Sequence, residues 1–185
     1  MALLVDPAVW PWRGERWAHL VSDVDHDELH RFSHTLGVPY VAFQGDHYDV
    51  PAPLRAHAIE LGAEPVDSRV LVRRLRAAGL RDRHAHRPWR WLVRSQPLTT
   101  TPWAALITSE PALAGPVAIA TEVAGELDGA EPEVSVATRA GEVLVGLWTA
   151  TRLSLAAPPL DLAGPVVVHR SSGTRGTFLE VVGPT

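Results

Sequence analysis

The chain has 185 residues, a formal net charge of −4 and 46% hydrophobic residues, so it can build a packed core and is not a disordered polypeptide. It contains no Cys and no Lys, which excludes disulfides, Cys-ligated zinc and lysine-based Schiff-base or P-loop chemistry. No apolar run is long enough to span a bilayer, and the first residues lack the basic and apolar regions of a signal peptide. We therefore expect a cytoplasmic protein without membrane association.

The first ninety residues alternate short apolar strands with amphipathic helices. Strands are predicted over residues 2–5, 18–22, 40–43 and 63–66. A capping box of Asp25 and Glu28 begins the first helix, which Gly37 ends; the second is predicted over 52–61 and the third from Asp67 to about residue 78. This order predicts an α/β fold with a small mixed or mostly parallel sheet and three helices.

The pattern changes after a Pro-rich stretch over residues 84–102, which is interpreted as a boundary. Strands are predicted beyond it over residues 104–108, 133–138, 142–148, 165–170 and 177–181, with one helix over 115–127. We expect an α/β domain over residues 1–90 that carries the candidate site. Residues 97–185 are expected to form a β-rich domain or an extension of the first sheet.

Polar side chains follow three of the predicted strands. They are Asp6 after the first strand, Asp23 after the second, and Gln44, His47 and Asp49 after the third. Ligands of open α/β sheets bind outside the carboxyl ends of the strands, so these groups meet at one edge of the sheet if the strands are parallel. The short link between the first two strands also allows them to be antiparallel or not neighbours. His19 lies within the second strand, roughly 13 Å from Asp23 at the usual rise per residue, and it can join them only if that strand ends or bends.

Two His and three Asp side chains suit a divalent metal or an acid/base pair. Catalytic roles are assigned to Asp6, His19, Asp23, His47 and Asp49. Of these, Asp23, His47 and Asp49 are the predicted metal ligands. The alternative is that Asp6 and Asp23 serve turns or helix caps and that His19 is a structural, half-buried histidine.

Two further clusters stand out. His26, His30 and His34 follow one another at helical spacing but lack the Glu of the zinc-protease motif, and they are predicted to form a solvated helix face. Eight arginines within residues 69–90, next to Trp89 and Trp91, are typical either of phosphate contacts and base stacking or of a charged helix face and linker. These arginines are Arg69, Arg73, Arg74, Arg76, Arg81, Arg83, Arg87 and Arg90.

A series of short motifs runs through residues 3–80. They are Val5-Asp6, Trp10-Pro11-x-Arg13-Gly14-x-x-Trp17-x-His19-Leu20, Ser22-Asp23, Glu28-Leu29-His30, Phe43-Gln44, His47-Tyr48-Asp49, Arg55 with Ala58, Gly62-Ala63, and Arg69 to Arg76. On these residues the chain resembles the domain of unknown function 4031 family of short bacterial and phage proteins. The resemblance implies no activity, but it implies that Asp6, His19, Asp23, His47, Asp49 and Arg55 form one set.

Three functional hypotheses follow. The first is a hydrolase or transferase that acts on a phosphate-containing substrate such as a nucleotide or nucleic acid, and that depends either on a divalent metal or on acid/base catalysis. In it, Arg13, Gln44, Tyr48 and Arg55 contact the substrate. The second is a non-catalytic nucleotide- or nucleic-acid-binding module that uses residues 69–90, and the third is an accessory protein that binds a partner through its β-rich half.

Overall fold

In a computed structural model, which describes residues 2–82, 88–127, 131–155, 160–163 and 165–185, the chain forms two compact units. The first unit comprises Met1–Leu36 and Ala42–Arg87, and the second comprises Gly37–Val41 and Pro88–Thr185. The predicted fold class is confirmed: helices and a mixed sheet are followed by a β-rich C-terminal half. Among the described residues, no helix is both long and apolar enough to cross a membrane.

The sheet of the first unit is organised around one long strand. Its strands are β1 (Leu3–Val5), β2 (Trp10–Trp12), β3 (Glu15–Ser22), β4 (Tyr48–Pro51) and β5 (Glu64–Pro65). The strands β1 and β2 follow each other along one edge of β3, and β4 pairs with the other edge, all antiparallel. Only β1 and β5 are parallel, so the sheet is mixed.

A tight hairpin explains why β1 and β3 are antiparallel. Arg13 and Gly14 join β2 to β3, and both have positive φ, at 50° and 80°. Positive φ at both central residues defines the type I′ turn, whose twist matches that of the paired strands. The Trp-rich stretch after β1 is therefore a hairpin strand and its turn, and β1 and β3 do not end at the same edge of the sheet.

Three helices complete the first unit at the predicted places: α1 (His26–Thr35), α2 (Ala52–Glu60) and α3 (Ser68–Ala77). The predicted caps are present, since Asp25 accepts a hydrogen bond from Glu28 N and Asp67 accepts one from Arg69 N. The glutamate of the box does not close it, because the Glu28 carboxylate accepts a hydrogen bond from Ser22 Oγ instead.

The helix α3 is fixed to the sheet by a small apolar cluster. Leu71 and Leu75 pack against Leu4 of β1 and Val21 of β3, and all four are buried. Burial of a leucine side chain stabilises a fold by roughly 1.5–3 kcal/mol relative to its exposure. These contacts hold the start of α3, at Ser68, beside the carboxyl end of β1.

The described part of the second unit is a six-stranded antiparallel sheet in the order β6-β7-β8-β11-β10-β9. Its strands are β6 (Arg90–Pro97), β7 (Glu133–Arg139), β8 (Glu142–Thr149), β9 (Leu160–Ala163), β10 (Val166–Gly173) and β11 (Gly176–Pro184). Two helices, α4 (Trp103–Ser109) and α5 (Ala114–Val123), accompany it, and α5 packs on β8 and β11. The strands β7, β8, β10 and β11 are mostly buried, whereas β6 at one edge of the sheet is largely exposed.

Two sequence predictions about local structure are wrong. Residues 104–108 belong to helix α4 and not to a strand. The change of unit between Arg87 and Pro88 falls within the expected boundary over 84–102, which also contains strand β6, while residues 83–87 lie outside the described part of the chain. Residues 40–43, predicted as a strand, contain the 3₁₀ turn Tyr40–Ala42. That turn is fixed within the second unit, because the backbone N–H groups of Tyr40 and Val41 donate to the Glu180 carboxylate.

Candidate metal site

Three neighbouring strands bring Asp6, His19 and Asp49 side by side. On one edge of β3, Asp6 N donates to His19 O over 3.2 Å and His19 N donates to Asp6 Oδ1 over 2.7 Å. On the other edge, His19 is the register partner of Asp49 in β4. Directly opposed residues of an antiparallel pair project from the same face, so the side chains of His19 and Asp49 are neighbours.

The ring of His19 is oriented by a buried carboxylate. Its Nδ1 lies 2.9 Å from Asp6 Oδ2, which also accepts a hydrogen bond of 2.7 Å from Ser68 Oγ. Burial raises the pKa of Asp6, but the hydrogen bonds from His19 and Ser68 outweigh it and hold the pKa below its usual value. In the neutral tautomer that donates its Nδ1 proton to an ionised Asp6, the lone pair of the His19 ring is on Nε2; the side chain is 40% exposed.

A second carboxylate holds His47 in the same way. His47 Nδ1 lies 2.6 Å from Asp46 Oδ1, and its Nε2 lies 3.4 Å from Asp49 Oδ1. Asp46 is buried and also accepts hydrogen bonds from Arg81 Nη1 and Asp82 N. Burial lowers the pKa of the His47 ring, but the carboxylates of Asp46 and Asp49 outweigh it and raise the pKa to about 9.

The turn before β4 brings His47 to this place. Gln44 N donates to His47 O over 2.9 Å, Phe43 bridges to Tyr48, and Gly45 has a φ of +96°, where a side chain would be strained. This closed turn presents the ring of His47 to that of His19, with ring centroids 5.2 Å apart.

The three side chains form a group with the composition of a metal site. One ligand atom from each of His19, His47 and Asp49 lies within 4.8 Å of the other two. Ligands bound to zinc at about 2.0–2.2 Å are roughly 3–4 Å apart, so a shift of about 1 Å would close the group around an ion. Their second contacts, from Asp6 and Asp46 to the Nδ1 atoms, match the carboxylate–histidine–metal arrangement of known metal sites.

The group opens into a cleft of about 200 Å³. Its polar lining comes from Asp6, His19, His47, Ser68 and Arg81, and its apolar lining from Val9, Val21, Leu71, Val72 and Leu75. A small molecule that enters this cleft meets the two imidazoles on one side and apolar side chains of α3 on the other.

The structure does not bring Asp23 into this group. Because β1 and β3 are antiparallel, Asp23 lies near Ala2 at the start of β1, whereas Asp6 follows its end. The carboxylate of Asp23 accepts from Arg74 Nε over 2.9 Å and from Ala2 N over 2.9 Å. Burial raises the pKa of Asp23, but these hydrogen bonds outweigh it and lower the pKa, as for a structural ion pair. Asp23 therefore does not meet His47 and Asp49, contrary to the sequence prediction.

The four predicted substrate contacts have different surroundings. Tyr48 is fully buried, and its hydroxyl is 2.9 Å from His30 Nδ1, so it is a core residue and not a substrate contact. Arg13 is exposed at the hairpin turn, with its guanidinium 4.5 Å from the centre of the Trp12 ring. Arg55 donates from Nε to the Asp6 carbonyl over 2.6 Å, which fixes the end of β1 next to the site.

The histidine stripe of α1 is not a solvated face, contrary to the sequence prediction. His30 and His34 are buried, and the rings of His26 and His30 contact Phe43 at centroid distances of 5.3 and 4.7 Å. The hydrogen bond between His30 and Tyr48 supplies a polar partner inside this core. The stripe thus packs α1 onto the sheet.

The arginines of residues 69–90 fall into two groups. Arg74 pairs with Asp23 and Glu64, Arg81 with Asp46, and Arg90 with Glu110 of the second unit. Arg69, Arg73 and Arg76 are exposed on α3, while Arg83 and Arg87 lie outside the described residues. The expected single cluster is therefore partly a set of structural ion pairs.

Two supporting residues, Asp46 and Ser68, are not singled out by the sequence. Ser68 resembles an ordinary residue at the start of a helix, yet its hydroxyl contacts Asp6, 62 positions away. Asp46 precedes His47 directly, and a carboxylate next to a histidine in a Gly-containing turn is a local signal that could have identified it.

The comparisons with known proteins concern the same part of the chain. Residues 3–78 match a family model described as "Protein of unknown function (DUF4031)". Neither a curated protein nor a solved structure matches the chain. The matched stretch runs from β1 to the end of α3 and includes the candidate site. Over residues 3–78, the chain resembles the DUF4031 family, as the N-terminal motifs predict.

Proposed function

We propose that the first unit is a metal-dependent hydrolase of phosphate esters. A divalent ion would be held by Nε2 of His19, Nε2 of His47 and a carboxylate oxygen of Asp49. The observation that carries this proposal is that both rings are oriented through Nδ1 by buried carboxylates while a third ligand stands beside their Nε2 atoms.

Two imidazoles and one carboxylate are a typical ligand set of catalytic zinc, which keeps its fourth position for water or substrate. A structural zinc would need a fourth protein ligand, and the described residues offer three in this group. The neighbouring cleft leaves room for a water molecule and a substrate at the remaining position.

The chemistry that such a site supports is attack of metal-activated water on phosphorus. An ion held by His19, His47 and Asp49 would lower the pKa of water to about 7 and so would supply hydroxide near neutral pH. A bond forms between the hydroxide oxygen and phosphorus, the ester P–O bond breaks, and the released alkoxide takes a proton from water. One water molecule is consumed for each ester bond hydrolysed.

The cationic lining of the cleft favours a phosphate over an uncharged substrate. Arg81 lines the cleft and uses Nη1 for Asp46, which leaves further N–H groups of its guanidinium for a phosphate oxygen. Arginine matches phosphate oxygens in geometry as well as in charge. The hydroxyl of Ser68 lies in the same lining, next to Asp6.

Two measurements test the proposal with the full chain. Titration calorimetry with Zn²⁺ and Mn²⁺ should show one site, which His47→Asn and Asp49→Asn each weaken strongly. Hydrolysis of bis-p-nitrophenyl phosphate should depend on the ion and fall at least a hundredfold in both variants. The matched control is His57→Asn, since His57 is exposed on α2 and contacts Glu60.

Retention of full activity by both site variants would contradict the assignment, as would equal loss in the control. An Fe²⁺-specific centre without hydrolysis would also contradict it, because two His and one carboxylate serve non-haem iron oxygenases as well. Circular dichroism and thermal unfolding of each variant show whether the fold is intact.

A further inference from the structure

One face of α3 carries cations without acidic partners. Arg69, Arg73 and Arg76 are spaced by four and three residues, which places them on one side of the helix. All three are exposed, and none forms an ion pair with an acid in the part of the chain that the structure describes. Arg74, on the same helix, is held by Asp23 and Glu64 and so differs from them.

The positions of these three arginines are unfavourable for the stability of α3 itself. Like charges three or four positions apart repel each other, and Arg69 stands in the first turn, where the helix dipole favours acidic residues. The first turn holds no acidic residue after the N-cap Asp67, whose carboxylate accepts from the backbone N–H of Arg69. A row of arginines in such positions is suited to binding an anionic partner.

This row is continuous with the proposed metal site. Ser68, Arg69, Val72, Arg73 and Arg76 line a groove on α3, and Ser68 and Val72 line the metal cleft as well. At 1.5 Å per residue, Arg69 to Arg76 extends over roughly 10 Å. This length is greater than one phosphate group and indicates a ligand with several phosphates in a row.

Aromatic side chains of the β2–β3 hairpin lie next to His19. Trp10 is 6.1 Å from the His19 ring and stacks on Trp17 at 5.9 Å, and Trp12 meets Trp17 edge-on at 4.8 Å. Trp12 is 46% exposed, and its ring contacts the guanidinium of Arg13. An exposed indole beside an arginine at a hairpin tip provides a surface on which an unpaired base can stack.

We propose that the first unit binds single-stranded nucleic acid. The phosphates lie along Arg69, Arg73 and Arg76, and a base stacks on the hairpin tip at Trp12 and Arg13. This inference rests on the proposed hydrolase function, because it names the class of substrate on which that hydrolase would act. A single strand fits better than a duplex, because stacking on Trp12 needs a base that is free of its neighbours.

Binding is measured by fluorescence anisotropy of labelled DNA and RNA strands of about twelve nucleotides, with the full chain and in EDTA. Arg69→Gln, Arg73→Gln and Arg76→Gln together should weaken binding by about tenfold or more. They should also lower the slope of log K against log salt by about 2, as expected for three lost phosphate contacts. The matched control carries Arg31→Gln, Arg94→Gln and Arg152→Gln, which remove the same charge from other exposed positions.

Trp12→Ala should weaken binding about fivefold to a hundredfold and leave the salt slope unchanged. The proposal is overturned if both triple variants bind equally, if a duplex or mononucleotide binds as tightly as the strand, or if the wild-type chain does not bind at low salt. EDTA keeps the assay independent of hydrolysis, so failure of the hydrolase proposal and failure of this one are observed separately.

Discussion

His19 and Asp49 are cross-strand partners on β3 and β4, so the backbone register alone places an imidazole beside a carboxylate. Both belong to the sheet, which makes their separation a property of the fold and not of loop conformation. His47 comes from the turn before β4 and not from a strand, and Asp46 holds its ring in place. Sites on regular elements are held more precisely than sites on loops.

The buried carboxylate behind His47 should control metal affinity without contacting the ion. Asp46→Asn replaces an acceptor at 2.6 Å from His47 Nδ1 with a neutral amide, and Zn²⁺ affinity should fall about tenfold to a hundredfold. Competition with a chromophoric chelator measures this change. Asp27→Asn, on the exposed side of α1, should leave the affinity as it is in the wild type. An unchanged affinity in Asp46→Asn would show that the carboxylate is not needed to orient the ring.

The ion pair of Asp23 should matter for stability and not for metal binding. Asp23→Asn weakens charge-assisted hydrogen bonds from Arg74 and Ala2 N, at a cost of about 1 kcal/mol in the free energy of unfolding. Urea denaturation measures the loss, and calorimetry with Zn²⁺ should give the wild-type affinity. A weakened zinc site in this variant would restore Asp23 to the metal-ligand set from which its position in the fold removes it.

The carboxyl of Glu180 should make the second unit less stable as the pH rises. Burial raises its pKa to about 7, although the N–H groups of Tyr40 and Val41 favour the charged form. The folded chain therefore holds the proton more tightly than the unfolded chain. The stability that the proton contributes is fully present below pH 4.5 and is lost as the pH rises to 7. The loss is on the order of 3 kcal/mol.

Chemical denaturation from pH 5 to pH 8 measures this effect as the difference between the wild type and Glu180→Gln. The glutamine does not titrate, so the difference between the two chains should shift in favour of the variant as the pH rises. A difference that is constant across this range would mean that Glu180 has an ordinary carboxyl pKa.

Substitution by alanine should lower the free energy of unfolding by different amounts at two glycines with positive φ. Gly141 (φ +88°) and Gly176 (φ +108°) both favour glycine, but a Cβ on Gly141 meets nothing within 4 Å. A Cβ on Gly176 would lie 2.1 Å from the backbone oxygen of Thr149. Gly141→Ala should cost about 1–2 kcal/mol and Gly176→Ala clearly more, because the second must also move a neighbouring strand. Equal unfolding midpoints for the two variants would contradict this steric difference.

Local signals in the sequence predict local structure well here. Asp25 and Asp67 begin α1 and α3 because a cap depends on residues two or three positions away. The strand predicted over residues 104–108 is wrong, because a short apolar run does not distinguish a strand from a helix. Tyr40–Ala42 depends on Glu180, 140 positions from Tyr40, and no local pattern contains that information.

For the candidate site, too, local signals identify individual residues, but long-range contacts decide how these residues are arranged. Its titratable residues can be found from their positions near strands, but their grouping depends on strand direction. The Arg13-Gly14 turn reverses the chain, brings His19 opposite Asp6 and separates Asp23 from both. The burial of Asp46 depends on Arg81, which is 35 positions away. His30 of α1 is buried because Phe43 and Tyr48 pack over it.

The five residues Gly37–Val41 belong to the second unit and divide the sequence of the first unit into two segments. The polypeptide leaves the first unit after Leu36, returns to it at Ala42 and leaves it again after Arg87. A fragment that ends near residue 87 would keep Tyr40 and Val41 but lose Glu180, the acceptor of their N–H groups. The strand β4, which contains Asp49, begins at Tyr48, seven positions after Val41, and His47 directly precedes it. A cut near residue 87 would therefore remove the acceptor that fixes Tyr40 and Val41, a few positions before His47 and Asp49.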